Sequence, residues 1–211
     1  MVLDGRESSN QLNKMQIFPT AYFAPIAYYK AFANADNPVV EVKEHFVKQT
    51  IRTRCEVLGP NGKQLLSVPV ERINGNKTAI EDLVIVEDGW RKIHWKTIET
   101  AYSSAPFFDY YGIEIKELLM NQSLKKLTDL NDAIHQRILS WLDIQIPSSF
   151  TNDFEPYFST DYRLIKLDSE VDFEHKSYYQ VFRNKTDCIS NLSILDLILN
   201  EGPMARKWLL D

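Results

Sequence analysis

The stretch that most constrains the fold runs from Gln16 to Val42, where the hydrophobic pattern changes twice. A short apolar run ends at Pro19, helical periodicity covers 25–33, and a β-branched run follows at 39–42. Strand, loop, helix and strand at this spacing predict one βαβ unit, which is about 30 residues long. The sequence therefore predicts an α/β or α+β fold with an N-terminal mixed β-sheet.

A β-hairpin is the clearest local feature after this unit. The β-rich runs 49–58 and 65–70 flank the sequence Gly59-Pro60-Asn61-Gly62, which is a strong turn signal. We therefore expect a hairpin over 49–70. The loosely alternating stretch 79–86 is a candidate for a further strand.

The second half of the chain is mainly helical in pattern. Predicted helices cover 91–103, 113–121, 123–142 with Ser123 as N-cap, and 193–199, and short strands are predicted at 162–167 and 178–182. We expect the helices to cover the sheet in a single domain over 15–211, preceded by a flexible leader at 1–14.

Composition and motifs exclude several classes of function. The net charge of −5 argues against a general nucleic-acid binder, and no apolar run is long enough to span a membrane. Two cysteines and a polar N-terminus predict a cytoplasmic protein. The chain contains no GxGxxG, Walker or HExxH motif, so we expect no cofactor held by a glycine-rich loop and no metal.

Three cations within seven residues form the first candidate site. If 48–54 is extended, Lys48, Arg52 and Arg54 share one face, and Ile51, Thr53 and Cys55 lie on the other. Such a face suits a phosphate or a carboxylate. The alternative is a solvated, charged face of the hairpin.

His94 is the candidate catalytic residue, and Trp90 lies one helical turn before it. An imidazole beside the apolar stripe could act as a general acid or base, or could be a core-edge histidine with satisfied hydrogen bonds. His135 falls off its helix's apolar stripe and is predicted on the surface, while His175 lies in a polar loop. No two histidines have the spacing of metal ligands.

Four ordered blocks give the chain a family resemblance. They are Phe18-Pro19-Thr20-Ala21-Tyr22-Phe23-Ala24-Pro25, Lys48-Gln49-Thr50-Ile51-Arg52-Thr53-Arg54-Cys55, Trp90-Arg91-Lys92-Ile93-His94-Trp95-Lys96, and Asn191-Leu192-Ser193-Ile194-Leu195-Asp196 with the residues up to Pro203. On these blocks the sequence resembles the WbqC-like protein family of bacteria. Phe18 and Thr53 stand where many members carry Gln and Asn.

The resemblance implies a role in surface-polysaccharide (O-antigen-like) biosynthesis, because the family is named from members in such gene clusters. Some members resemble enzymes that attach an amino acid to an amino sugar. The implied site has His94 as the catalytic residue and a small-molecule sugar or activated donor as ligand. The implied substrate-binding residues, expected to share one cleft, are Lys48, Arg52, Arg54, Tyr22, Trp90 and Tyr102.

Two other interpretations stay open. The absence of an established catalytic motif also fits a non-catalytic binding or scaffold protein of a cell-envelope pathway. The opening unit is similar in outline to that of nucleotidyltransferase-like folds, although their histidine signature is absent.

Ser193 and Asp196 also belong to a family block, but their spacing is explained by a simple N-cap and helix start.

Overall fold

The computed structural model describes residues 15–147, 149–156, 158, 160–169, 177–182 and 188–210. The predicted leader at 1–14 and the predicted loop residue His175 lie outside the described residues.

The chain opens with the predicted βαβ unit. Strand β1 (Gln16–Pro19) is followed by helix α1 (Ile26–Ala33) and strand β2 (Pro38–Glu41). β1 and β2 pair in parallel along their whole length. Pro25 precedes the helix in extended geometry, as expected of a proline at a helix start.

The predicted hairpin is present but begins later than expected. Strand β3 (Arg54–Gly59) pairs in antiparallel register with β4 (Gly62–Ser67) around the predicted turn. The segment 48–53 is turn rather than strand, and Gln49 has a φ of 63°. Within the predicted stretch 79–86, the strand is limited to β6 (Val84–Ile85). It pairs in antiparallel register with the equally short β5 (Val70–Glu71).

The three central helices are confirmed with changed boundaries. They are α2 (Trp90–Tyr102), α3 (Phe108–Met120) and α4 (Leu127–Trp141). α3 begins five residues earlier than the predicted 113, so much of the aromatic connector is helical. Ser123 is not the N-cap of α4, because the helix begins four residues later and Lys126 holds the N-cap position. The Ser123 amide and hydroxyl both donate to Asn121 Oδ1, at 3.0 and 2.6 Å.

The remaining strands complete a parallel sheet. β7 (Ser149–Phe150) and β8 (Thr160–Asp161) extend the βαβ unit on its two sides, in the order β7-β2-β1-β8. All three pairings in this sheet are parallel. Two-residue strands carry almost no local pattern, and their partners lie far away in sequence.

The strands predicted at 162–167 and 178–182 are absent from the described residues. At the first, the Ile165 amide donates to the Tyr162 carbonyl at 3.0 Å and closes a turn. At the second, the Tyr179 amide donates to a side chain, Glu201 Oε1, at 3.2 Å. Both segments thus use local or side-chain hydrogen bonds in place of a strand partner.

The chain ends in helices α5 (Ile194–Glu201) and α6 (Ala205–Leu210), joined by the 3₁₀ turn Gly202–Met204. Two further 3₁₀ turns, Gly75–Lys77 and Ile80–Asp82, precede β6. Ser193 caps α5, since its hydroxyl accepts from the Leu195 amide, and every residue from 194 to 200 is buried. α5 is therefore a core helix, as its apolar pattern predicts.

His135 is buried, which corrects its predicted surface position. It is 7% exposed on α4 and contacts the aromatic face of α1. Its Nδ1 lies 3.3 Å from the Tyr29 hydroxyl, and its ring lies edge-on to Phe32. The apolar stripe of α4 is thus wider than the leucines and isoleucines alone indicate. Among the helices that the structure describes, none is both long and apolar enough to cross a lipid bilayer.

Candidate functional site

The three predicted cations line one cleft. Lys48, Arg52 and Arg54 border a cavity of about 910 Å³, together with Asp161 and Arg163 from the end of β8. The segment 48–53 brings them together through turns, not through the alternation of a strand. Ile51, Thr53 and Cys55 are buried, but so is Arg52, at 4% exposed, so burial does not divide this segment into the two faces of the predicted strand.

The cleft lies at the carboxyl edge of the parallel sheet. Glu44 follows the end of β2, and Asp161 is the last residue of β8. β2 and β8 lie on opposite sides of β1, so the strand order changes direction beside this edge. In open α/β sheets, ligands bind in the crevice at such a point, because the carboxyl ends diverge there.

Two of the cleft's arginines are paired with carboxylates. Arg52 is 4% exposed, and its Nε donates to Glu44 Oε1 at 2.7 Å, with Nη2 donating to the same oxygen. Burial raises the pKa of Glu44 above its ordinary value, although Arg52 opposes the change. Arg163 donates from Nε and Nη2 to Asp161, at 3.0 and 2.6 Å. Burial raises the pKa of Asp161, but the hydrogen bonds from Arg163 outweigh it and leave that pKa lowered.

Arg163 also faces a fully buried carboxylate. Glu41 is 0% exposed, and its Oε1 accepts from the Lys43 amide at 2.6 Å and the Thr151 hydroxyl at 2.8 Å. The other oxygen, Oε2, lies 3.6 Å from Arg163 Nη1. A buried carboxylate needs a nearby positive charge. Arg163 is therefore held in place by the charges around it.

The other cations of the cleft have no such partner. Lys48, Arg54 and Lys166 line the cleft and form no ion pair with any residue that the structure describes. Of the cleft's carboxylates, Glu44 and Asp161 are paired within it, and Glu56 pairs with Lys63 at 2.9 Å. Asp168 also lines the cavity and forms no ion pair with a described residue. We name the surface formed by Lys48, Arg54, Lys166, Arg52 and Arg163 the cationic cleft. Its three unpaired cations outnumber the one unpaired carboxylate among the described lining residues, and this positive balance favours an anionic ligand.

His94, Trp90 and Tyr22 form a separate cluster. The Tyr22 hydroxyl lies 2.8 Å from His94 Nδ1, and the rings of Trp90 and His94 are 4.8 Å apart, edge to face. We name these three residues the His94 cluster. Trp90 and His94 border a second cavity of about 550 Å³, between β4 and α2. Leu65 borders both cavities.

His94 bonds to the protein through Nδ1, which lies 2.8 Å from the Tyr22 hydroxyl. The ring also borders the cavity between β4 and α2, close to the backbone of Ser67. In a neutral imidazole one ring nitrogen accepts a hydrogen bond and the other donates one. Burial lowers the pKa of His94 to about 4, and the Ser67 backbone and the Asp88 charge offset this only in part. His94 is thus neutral at pH 7 and gives the buried Tyr22 hydroxyl a hydrogen-bond partner.

Tyr102 belongs to a third, fully buried group. Its hydroxyl accepts from the Leu58 amide at 3.3 Å and lies next to Asp196. Tyr178 donates to Asp196 Oδ2 at 2.5 Å, and Gln180 Nε2 donates to the same oxygen at 2.8 Å. Burial raises the pKa of Asp196 to about 6, against the lowering effect of these hydrogen bonds.

The structure thus brings together some of the predicted site residues and separates others. Lys48, Arg52 and Arg54 share the cationic cleft, and Trp90 and His94 share the neighbouring cavity. Tyr22 is 0% and Tyr102 1% exposed, and their side chains face the protein interior. A single cleft that contains all seven residues stays a prediction.

Sequence reasoning did not select Glu44, Arg163 or Lys166. Arg163 and Lys166 lie more than 100 residues after the cationic segment, in a stretch predicted as a strand. The available signal was the charged spacing Asp161-x-Arg163, in which a carboxylate precedes an arginine by two residues. Among the described residues, no three potential metal-ligating side chains cluster together.

Comparisons with known proteins bear on the family. The model of the WbqC-like protein family matches residues 20–179. A curated relative, "Uncharacterized protein Rv1507c" from Mycobacterium tuberculosis, is 24% identical over 144 residues, which cover 68% of this chain and 62% of that protein. The chain therefore spans less than two thirds of the length of that relative. No solved structure matches the chain significantly.

Proposed function

The chain belongs to the WbqC-like protein family, and we propose that it is a transferase of surface-polysaccharide biosynthesis whose cationic cleft holds the phosphate of an activated donor. The pathway follows from the family resemblance in the sequence. The ligand class follows from the cleft, and one observation carries it: Lys48, Arg54 and Lys166 line a cavity without an ion pair among the described residues, and they outnumber the one unpaired carboxylate of that lining, Asp168.

The cationic cleft contains two arginines with carboxylate partners and three cations without an ion pair among the described residues. Arg52 and Arg163 are neutralised by Glu44 and Asp161, so they shape the cavity wall and add little net charge. Lys48, Arg54 and Lys166 can each give charge-assisted hydrogen bonds to phosphate oxygens. Positive groups aimed at a departing phosphate stabilise the negative charge that develops as its bond breaks. The cleft therefore suits a donor whose leaving group is a phosphate.

A transferase also needs a group that accepts the proton of the attacking amine or hydroxyl. His94 is the proposed base, and it borders the cavity that adjoins the cleft at Leu65. To act in this way it has to present a ring nitrogen with a free lone pair to the cavity, because a general base needs a lone pair within reach of the substrate. The acceptor would then occupy the cavity between β4 and α2.

The second candidate function is a non-catalytic binding protein of a cell-envelope pathway. The observation that favours it is the hydrogen bond between His94 Nδ1 and the buried Tyr22 hydroxyl, together with burial that lowers the pKa of His94 to about 4. In this interpretation the cationic cleft binds an anionic ligand, and the His94 cluster is structural.

A thermal-shift screen separates these functions from a protein that binds no such ligand. The test uses nucleotide sugars, acyl-CoA and aminoacyl donors, since a ligand that binds only the folded state raises the melting temperature. We expect a shift that is lost in Lys48→Ala/Arg54→Ala and kept in Lys92→Ala/Lys96→Ala. The control pair removes two exposed cations of α2 that lie outside the cleft.

Any donor found in the screen is then incubated with amino-sugar acceptors, and the products are weighed by mass spectrometry. A transferred group that depends on Lys48 and Arg54 supports the transferase. Binding without transfer to any acceptor favours the binding protein. If no anionic donor shifts the melting temperature, the proposed function fails.

A further inference from the structure

Exposed aliphatic side chains line the same cleft as the unpaired cations. Val47, Leu65 and Leu164 are 56%, 50% and 80% exposed, and all three border the cavity. Ile165 and Leu167 continue this lining and are half-buried. Isolated apolar residues on a surface need no explanation, but several that converge on one concavity indicate a binding site.

The apolar wall surrounds the charged part of the cleft on two sides. Val47 immediately precedes Lys48, and Leu164 and Ile165 precede Lys166. Leu65 lies on β4, opposite Glu56 of β3, and Arg54 is two residues before Glu56. One ligand can therefore contact an unpaired cation and the aliphatic side chains at the same time.

The character of this wall distinguishes between two kinds of phosphate ester. A nucleotide needs an aromatic platform or polar groups that read the edge of its base. Among the described residues of the cleft's lining, Phe154 is the one aromatic side chain, 51% exposed and with the guanidinium of Arg163 5.6 Å from its ring centroid, against five aliphatic side chains. The carbonyls of Glu155 and Pro156 accept from Arg163, at 3.0 and 3.1 Å. The flexible aliphatic side chains suit a hydrocarbon chain better than a base.

We propose that the ligand of the cationic cleft is the phosphate or diphosphate ester of a long aliphatic chain, such as a prenyl chain. This rests on the proposed function, because it assigns the phosphate to Lys48, Arg54 and Lys166. The hydrocarbon packs against Val47, Leu65 and Leu164, which then become buried. Burial of apolar surface on both partners adds to the charge attraction, so the ester binds more tightly than the bare anion.

Isothermal titration with three probes tests this substrate class. The probes are pyrophosphate, farnesyl diphosphate and a nucleoside diphosphate sugar, each below its aggregation concentration. We expect farnesyl diphosphate to bind at least about tenfold more tightly than pyrophosphate and than the nucleotide sugar, because each buried methylene adds favourable transfer free energy. Farnesol, which lacks the charge, should bind more weakly than farnesyl diphosphate.

Two variants assign the effect to the cleft. Leu164→Ser should reduce the affinity for farnesyl diphosphate about threefold to tenfold and leave that for pyrophosphate unchanged, since it removes aliphatic surface only. Ile113→Ser is the matched control, because Ile113 is 67% exposed on α3 and does not line the cleft. It should change neither affinity.

The outcomes separate this inference from the function on which it rests. Equal affinities for pyrophosphate and farnesyl diphosphate would overturn the aliphatic ligand and leave the anionic donor site standing. Tighter binding of the nucleotide sugar than of farnesyl diphosphate would also overturn it. If neither pyrophosphate nor any ester binds, both proposals fail. Equal loss in Leu164→Ser and Ile113→Ser would contradict the placement of the chain in the cleft.

Discussion

The cationic cleft and the His94 cluster both contain residues that the sequence selects for function, but their polar groups have different partners. In the His94 cluster, the Tyr22 hydroxyl and His94 Nδ1 bond to each other in the protein interior, 2.8 Å apart. In the cleft, Lys48, Arg54 and Lys166 have no ion-pair partner among the described residues. Polar groups that bond to the protein stabilise the fold, whereas polar groups without such a partner can bind a ligand, and residues of one family motif can belong to either kind.

Removal of His94 is expected to have the largest effect on stability. His94→Ala leaves the buried Tyr22 hydroxyl without a partner and opens a cavity beside Trp90. We expect the free energy of unfolding to fall by about 3 kcal/mol, measured by urea denaturation. A variant of wild-type stability that has lost transferase activity would instead establish His94 as a catalytic residue.

The buried histidines also predict a dependence of stability on pH. Burial lowers the pKa values of His94 and His135 to about 4, below the unfolded value near 6.5. The unfolded chain therefore binds protons first, so stability is complete above pH 6.5 and is lost as the pH falls toward 4. From pH 7 to pH 5 each histidine should cost about 2 kcal/mol.

Denaturation curves at pH 7 and pH 5 measure this loss. His135→Gln should reduce the difference between the two pH values by roughly the contribution of one histidine, about 2 kcal/mol. A difference unchanged by the substitution would mean that His135 is protonated equally in the folded and unfolded chains.

Asp196 is expected to act in the opposite direction and by a smaller amount. Burial raises its pKa to about 6, so the folded state holds the proton more tightly and stability falls as the pH rises through 6. Asp196→Asn does not titrate and keeps an oxygen that can accept from Tyr178 and Gln180. Between pH 5 and pH 7 its stability relative to wild type should rise by about 1 kcal/mol. A relative stability that is constant over this range would contradict the raised pKa.

The smallest effect on stability is predicted in the cleft. Arg54→Ala removes a partly exposed side chain that has no ion pair among the described residues, so the free energy of unfolding should change by less than about 0.5 kcal/mol. Thermal and urea denaturation check this value. A loss as large as that of His94→Ala would show that Arg54 stabilises the fold, and the contrast between the two regions would disappear.

The same contrast explains how far the sequence could predict the molecule. The βαβ unit, the turn at 59–62 and the cap at Ser193 follow from patterns that are local in sequence, and the structure confirms them. Lys48, Arg52 and Arg54 line one cavity even though 48–53 is turn and not strand, and their role in binding stays a prediction. Residues this close in sequence stay close in space whether the segment is strand or turn.

The missing parts depend on contacts between distant residues. β7 and β8 are two residues long, and only their pairing with β2 and β1 defines them. Asp161 and Arg163 line the cleft, and they lie at the end of β8 and two residues after it. His135 is buried because α1 packs aromatic rings against it. None of these relations has a periodicity that a single sequence displays.

Isothermal titration of pyrophosphate into wild type and Lys48→Ala/Arg54→Ala measures whether the unpaired cations of the cleft bind a phosphate group. If the unpaired cations hold a phosphate, wild type binds pyrophosphate, and loss of two charge-assisted hydrogen bonds weakens binding about a hundredfold. Lys92→Ala/Lys96→Ala should bind as wild type does. Equal affinity in wild type and the cleft variant, or no binding by wild type, would contradict the account.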